Sequence, residues 1–122
     1  MKITEAEFTV MEALWRGQPL SAEDLIVAVL SEANWGEATV KTLINRLLRK
    51  GAIRSERANG RHSYHAVLER ADYVQAESET LLDRLFGGQL APLVAQFADR
   101  KTLSAEDRRR LKALIDRLDD DA

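Results

Sequence analysis

The sequence of 122 residues contains no cysteine. Disulfides, thiolate metal ligands and thiol nucleophiles are therefore excluded, and the composition is compatible with a reducing cytoplasm, the cytoplasmic localisation that we predict. Proline is also scarce, with two residues, and glycine occurs six times, which excludes collagen-like and proline-rich sequences. The 45% of apolar and 31% of charged residues are typical of a globular protein.

Long apolar runs are absent as well. Stretches such as Ile26–Leu30 are far shorter than the roughly 18 to 20 residues that cross a bilayer, and the polar residues that follow Met1 predict no secretory signal. We therefore expect no membrane insertion. A length of 122 residues allows one domain or two very small ones, which excludes a multidomain enzyme.

The net charge of −2 is distributed unevenly. Residues 1–70 carry a net charge of +1, whereas residues 71–122 carry −3, and the segment 38–65 alone carries +6. A basic block of this kind is expected of a surface that binds a polyanion, although a merely solvated face is the alternative. Its basic residues are Lys41, Arg46, Arg49, Lys50, Arg54, Arg57 and Arg61, against the single acid Glu56.

Capping signals predict the helix starts. Thr4 and Glu7 form the pattern of a reciprocal capping box, and Ser21 and Ser104 each stand three residues before an acid. Apolar residues then recur at helical spacing, ending near Gly17 in the first helix. The predicted stripes are Phe8, Met11, Leu14 and Trp15; Leu25, Ile26, Val29 and Leu30; and Leu111, Leu114, Ile115 and Leu118.

A third helix over residues 37–50 is predicted to end at Gly51 in a left-handed cap. The period then changes to two short extended runs, 53–57 and 61–66, around Asn59-Gly60, a strong two-residue hairpin signal. Three helices followed by a hairpin predict a winged helix-turn-helix DNA-binding domain over residues 1–70. The fold class is thus mostly α with a small β-hairpin.

Residues 71–122 are predicted to form a three-helix dimerisation domain, with one helix ending at Gly87-Gly88. A segment this short rarely buries enough apolar area alone, so it packs on the first domain or on a second chain, and we favour a homodimer because helix-turn-helix proteins read two half-sites. The predicted dimerisation residues are Leu81, Leu82, Leu85, Phe86, Leu93, Val94, Phe97, Leu111, Leu114, Ile115 and Leu118.

The sequence offers no catalytic site, no metal site and no cofactor motif. His62 and His65 are the only histidines, and their odd separation on a strand places them on opposite faces. The carboxylates lie mostly in first turns of helices, where they compensate the helix dipole. We therefore expect a protein that is not an enzyme.

The polar face of the third helix combines short donors with long cations, a mixture suited to a DNA groove. Arg57 and Arg61 flank the hairpin tip, where they can contact a phosphate backbone or protect a strand edge. Trp15, Trp35 and Tyr64 are predicted to pack in or beside the core. The predicted DNA contacts are Thr39, Lys41, Thr42, Asn45, Arg46, Arg49, Arg57 and Arg61.

These residues resemble the BlaI/MecI/CopY group of bacterial transcriptional repressors, also called penicillinase repressors. The likeness covers nearly the whole chain in order and spacing. It includes Thr4-x-x-Glu7, Val10-Met11, Leu14-Trp15, Trp35, Thr39-Val40-x-Thr42-Leu43-x-x-Arg46-Leu47-x-x-Lys50-Gly51, Tyr64, Leu85-Phe86-Gly87-Gly88 and Leu93-Val94.

The resemblance implies a homodimeric repressor that binds double-stranded DNA at an inverted repeat of TACA/TGTA type, with Thr39, Lys41, Thr42 and Arg46 at the recognition positions. In the β-lactam-responsive members, a membrane sensor triggers cleavage before a phenylalanine. Here the similar stretch is Val94–Ala98, with Gln96 where those members carry Asn, so an upstream sensor or protease is left open. The copper-responsive members use Cys-x-Cys motifs, which this chain lacks.

The alternative function is a winged-helix module that binds a partner protein and no DNA, because the fold alone does not fix function.

Overall fold

The structure is a computed structural model and describes residues 1–121. The chain is mostly helical with one small sheet, which confirms the predicted fold class. It divides into two compact units, Met1–Val74 and a second that begins at Gln75. The elements are α1 Glu5–Gly17, β1 Leu20–Ser21, α2 Ala22–Leu30, α3 Glu37–Lys50, β2 Ile53–Ala58, β3 Arg61–Ala66, α4 Arg70–Phe86, α5 Ala91–Asp99 and α6 Ala105–Asp121.

The predicted helix starts are confirmed by their hydrogen bonds. The Glu7 amide donates to Thr4 Oγ1 at 3.1 Å and the Thr4 amide donates to Glu7 Oε1 at 2.8 Å, a complete capping box. Ser21 Oγ accepts from the amide of Asp24, and Ser104 Oγ accepts from that of Asp107. Each cap satisfies an amide that has no partner inside its helix.

The core of the first unit forms where the apolar faces of α1, α2 and α3 meet, packed with the sheet. Leu30, predicted in the stripe of α2, is instead 37% exposed, because it is the last residue of the helix and the chain turns away after it. Trp35 and Tyr64 pack against the core as predicted. The buried side chains include Val10, Met11, Leu14, Leu25, Ile26, Val29, Val40, Leu43, Ile44, Leu47 and Ile53.

The hairpin forms in the predicted register. β2 and β3 are antiparallel, and the turn residues Asn59 and Gly60 have φ angles of 53° and 76°, as a two-residue hairpin turn requires. The sheet also contains a third strand that was not predicted, β1, which pairs Leu20 with Tyr64 on β3. Two residues are too few to show a strand period, so sequence patterning does not detect them.

An aromatic cluster joins α1 to the first turn of α4. Trp15 lies with its ring centroid 5.9 Å from that of Phe8 and 6.3 Å from that of Tyr73, and its Nε1 donates to the Leu68 carbonyl at 2.9 Å. Trp15 therefore packs as predicted, with its polar atom satisfied. α4 starts at Arg70, and its residues up to Val74 belong to the first unit.

The second unit leaves its apolar side chains accessible. α4 ends at Phe86 before Gly87 and Gly88, whose φ angles are 59° and 80°. None of the residues described between 75 and 120 is buried. Within the described residues, no helix has both the length and the apolarity required to cross a membrane.

Candidate nucleic-acid interface

Helix α3 has one buried face and one exposed face. Its N-cap is Gly36, Glu37 lies in its first turn, Arg49 and Lys50 lie in its last turn, and Gly51 ends it with a φ of 78°. The acidic residue at the start of α3 and the basic residues at its end both interact favourably with the helix dipole. Every residue that α3 was predicted to offer to DNA is exposed, namely Thr39, Lys41, Thr42, Asn45, Arg46 and Arg49.

Two side chains on the exposed face are already engaged within the helix. Lys41 Nζ lies 3.2 Å from Glu37 Oε1, an exposed pair that water and salt weaken. The Thr42 hydroxyl donates to the Ala38 carbonyl at 3.0 Å. Thr42 can therefore offer its methyl group or its oxygen lone pairs, but not its hydroxyl hydrogen, to another molecule.

Arg46 and Arg49 make neither an ion pair nor a side-chain hydrogen bond with any described residue. Arg49 lines a shallow depression of about 450 Å³ together with Thr42, Asn45 and Leu48. Both guanidinium groups are thus exposed and have their full set of donors available. A planar guanidinium can pair with guanine or with a phosphate through two hydrogen bonds.

The hairpin presents two further arginines at its tip. Arg57 lies opposite His62, and Arg61 lies opposite Ala58. Because side chains alternate along a strand, Arg57 and Arg61 point to opposite faces of the ribbon. Both are exposed, and neither makes an ion pair with a described residue.

The base of the hairpin is electrostatically balanced. Arg54 Nη1 lies 2.9 Å from Glu56 Oε2, and His65 Nε2 lies 3.1 Å from the same oxygen. The Arg54 guanidinium, assisted by His65, lowers the pKa of Glu56. Arg54 is therefore compensated, and the uncompensated charge of the hairpin is concentrated at its tip.

The two histidines lie on opposite faces of the hairpin, as predicted. His62 Nδ1 is 3.2 Å from Ser55 Oγ, whereas His65 contacts Glu56. In the part of the chain that the structure describes, no group of three or more histidine or carboxylate side chains is arranged to hold a metal ion.

Lys50 is the basic residue whose surroundings differ most from the sequence-based expectation. Its Nζ lies 2.6 Å from Oε1 of Glu7, a carboxylate with no accessible surface. Burial opposes ionisation, yet hydrogen bonds from Lys50 and Thr4 outweigh it and hold the pKa of Glu7 below its ordinary value. The sequence motif around Glu7 predicts only its capping box with Thr4. It does not predict the ion pair with Lys50, because no local pattern shows a partner 43 residues away.

The residues predicted for dimerisation are all accessible in the single chain. Leu81, Leu85, Phe97, Leu114, Ile115 and Leu118 are exposed, and Leu82, Phe86, Leu93, Val94 and Leu111 are half-buried. An apolar groove of about 680 Å³ is open between α5 and α6, lined by Val94, Leu111, Leu114, Ile115 and Leu118 among others.

Comparisons with known proteins cover nearly the whole chain. A family model described as Penicillinase repressor matches residues 3–117. The penicillinase repressor of Bacillus licheniformis is 25% identical over 115 residues, which are 94% of this chain and 90% of that protein. The methicillin resistance regulatory protein MecI of Staphylococcus aureus (strain N315) is 27% identical over 116 residues, covering 95% and 94% of the two chains.

A solved structure also resembles the chain. The monomeric form of Bacillus licheniformis BlaI, determined in complex with the blaP half-operator, superposes with a TM-score of 0.55 at 25% sequence identity. The match covers 60% of this chain and 89% of that one.

Proposed function

This chain belongs to the penicillinase repressor family, and from that membership and the geometry of α3 we propose that it is a DNA-binding transcriptional repressor acting as a homodimer and not as an enzyme. The observation that carries the proposal is the exposed face of α3, where Arg46 and Arg49 have no acidic partner among the described residues. A merely solvated helix normally compensates such charges with acids one turn away.

Helix α3 is proposed to enter the major groove. Arg46 and Arg49 have the reach to pair with guanine or with phosphate, and Asn45 can pair with adenine. Thr42 donates its hydroxyl hydrogen to Ala38, so it would accept from the amino group of adenine or cytosine, or contact a thymine methyl. Lys41 would exchange its exposed partner Glu37 for a phosphate, and Thr39 lies at the N-terminal end of the same face.

The hairpin tip is proposed to hold the DNA backbone. Because Arg57 and Arg61 point to opposite faces of the ribbon, a tip lying along the backbone would bring one guanidinium to each side of it. Phosphate contacts of this kind fix the position of a protein on the duplex without reading sequence. The hairpin would therefore contribute affinity, while α3 contributes discrimination.

The second unit, which begins at Gln75, is proposed to form the dimer interface. It takes the role that the predicted domain division gives to residues 71–122, with residues 1–70 as the DNA-binding domain. Side chains such as Leu85, Ile115 and Leu118 are 58%, 56% and 68% exposed, a large apolar area for a single chain to leave in water. A two-fold interface would cover them on both chains at once. The dimer would then read an inverted repeat, with one half-site for each first unit.

Salt-dependent DNA binding tests this function. We would select a duplex from a random library with the purified protein, then measure its affinity and that of a scrambled duplex between 50 and 200 mM salt, a range used for such titrations. Phosphate neutralisation predicts that log K falls with log salt with a slope of about 0.9 per contact. A salt-independent affinity, or no selected sequence, would favour the protein-interaction module instead.

Matched variants assign the slope to the proposed residues. Arg49→Gln and Arg57→Gln should each reduce it by about 1.8 if they contact phosphate, because each substitution removes one contact of about 0.9 from both subunits of the dimer. Arg108→Gln removes another exposed arginine, from α6 in the second unit, and should leave the slope unchanged. Slopes equal to that of the wild type for all three variants would exclude Arg49 and Arg57 as phosphate contacts.

A further inference from the structure

Glu7 is a fully buried carboxylate at the crossing of α1 and α3. Its Oε1 accepts from the Thr4 amide at 2.8 Å and from Lys50 Nζ at 2.6 Å, and the same Nζ donates to the Lys2 carbonyl at 3.1 Å. Its other oxygen, Oε2, is buried without a hydrogen-bond partner. One ammonium group thus joins the last turn of α3 to the first turn of α1.

Among the described residues, this hydrogen-bonded ion pair is the polar side-chain contact between α3 and the rest of the first unit. The remaining side-chain hydrogen bonds and ion pairs of α3 among the described residues are internal, from Lys41 to Glu37 and from Thr42 to Ala38. All other packing of α3 is apolar, through Val40, Leu43, Ile44 and Leu47. Apolar packing is non-directional and tolerates small shifts along the helix axis, whereas an ion pair with hydrogen bonds fixes a position.

The chemistry of the pair points to a positioning role in addition to stability. Hydrogen bonds from Lys50 and Thr4 outweigh the cost of burying the Glu7 carboxylate, but apolar replacements of buried pairs are often no less stable. The unpartnered Oε2 adds to that cost. Retaining such a pair makes physical sense where the location of α3 matters.

We propose that Glu7 is a positioning residue for operator recognition, acting through Lys50 to fix the register of α3 so that its exposed side chains meet the correct base edges. The inference rests on the proposed DNA-binding function. In this role Lys50 forms an intramolecular ion pair with Glu7 and contributes no phosphate contact, although it belongs to the basic segment 38–65.

The test uses the full chain and the two duplexes described above, the selected and the scrambled. The double variant Glu7→Gln/Lys50→Met removes both charges, and glutamine can still complete the capping box with Thr4. The control pair Glu12→Gln/Arg70→Met removes another α1 ion pair, at 2.6 Å, which does not touch α3. Lys50→Arg keeps the positive charge and a hydrogen-bond donor, and so tests whether a conservative replacement preserves the discrimination between the two duplexes.

We expect the double variant to lose about tenfold in affinity for each half-site of the selected duplex, the effect of misaligning one base contact there. Its affinity for the scrambled duplex and its salt slope should match those of the wild type. The control pair and Lys50→Arg should both retain the discrimination between the two duplexes. If the double variant fails to fold, Glu7→Gln alone is measured with the same expectation of reduced discrimination.

Two results would overturn the positioning role and leave DNA binding intact. One is a double variant that discriminates as well as the wild type. The other is an equal loss on both duplexes with a salt slope reduced by about 1.8, one contact in each subunit, which would make Lys50 a phosphate contact. If the wild type itself selects no sequence, both the proposed function and the positioning role fail.

Discussion

At the scale of single residues, the structure divides the basic segment into engaged and available charges. Lys41, Lys50 and Arg54 each have an acidic partner, at 3.2, 2.6 and 2.9 Å respectively. The arginines left without a described partner are Arg46, Arg49, Arg57 and Arg61. The surface available to a polyanion is therefore smaller and more sharply located than the net charge of the segment indicates.

Arg46 is expected to contribute directly to DNA affinity. Arg46→Ala should weaken binding by about 1 to 3 kcal/mol for each half-site of the selected duplex if the guanidinium makes a two-point contact with a base. Fluorescence anisotropy at several salt concentrations measures both the loss and the slope. Arg108→Ala serves as the control, and identical binding curves for the wild type and Arg46→Ala would exclude Arg46 from the interface.

Glu7 should make the stability of the first unit depend on pH. Its pKa in the folded protein lies below the ordinary 4.5, so the stabilisation is complete above about pH 4.5 and is lost as the pH falls through the lower, folded-state value. Urea unfolding of the wild type and of Glu7→Gln at pH 7 and pH 3 compares the two states. We expect the stability advantage of the wild type to shrink at pH 3, and an unchanged difference would contradict this.

At residue scale, the sequence predicts contacts between residues that are close together in the chain. The spacing of Thr4 and Glu7 predicts both hydrogen bonds of the capping box, because the partners are three residues apart. The burial of Glu7 and its pairing with Lys50 depend on how α1 and α3 pack, and no pattern in either segment contains that information. The same holds for Arg70, whose Nε lies 2.6 Å from Glu12 on α1.

At the scale of elements, the residue periodicity, with Gly51 at the helix end and Asn59-Gly60 at the turn, is sufficient to predict α3 and the hairpin. The four buried residues of α3, Val40, Leu43, Ile44 and Leu47, recur at helical spacing, and Gly51 ends the helix in the left-handed conformation as predicted. The strand β1 was missed because its two residues become a strand only by pairing with β3. Long elements are thus readable from sequence, whereas short ones depend on their neighbours.

The hairpin turn provides an element-scale prediction. Gly60 has a φ of 76° and open space around its absent Cβ, so Gly60→Ala would add backbone strain without a steric clash. We expect a loss of about 1 kcal/mol in the free energy of unfolding. Asn59→Gly, at the neighbouring left-handed position, should change stability less, and equal losses for both variants would argue against this turn geometry.

At the scale of the whole molecule, the two units differ in how completely they bury their apolar side chains. The first unit buries Met11, Leu14, Leu25 and Leu47 completely. Nothing described between residues 75 and 120 reaches that level of burial. This contrast supports the proposed dimer, which the apolar stripes of the sequence already favoured on grounds of chain length.

Self-association is expected to depend on the second unit. Sedimentation of the full chain should give twice the mass of one chain, and Leu118→Glu should shift the equilibrium toward the monomer because it places a charge in the apolar interface. Val27→Glu is the control, since Val27 is 66% exposed and lies in the first unit. A monomeric wild type, or equal effects of the two substitutions, would contradict the proposed interface.

Footprinting of the selected duplex with the wild-type protein tests whether a dimer of this chain reads DNA through α3 and the hairpin. We expect two protected segments related by a dyad, with centres about 10 bp or a multiple of it apart, and loss of both protections for Arg46→Ala at the same protein concentration. A single protected segment, or protection unchanged by Arg46→Ala, would contradict this expectation.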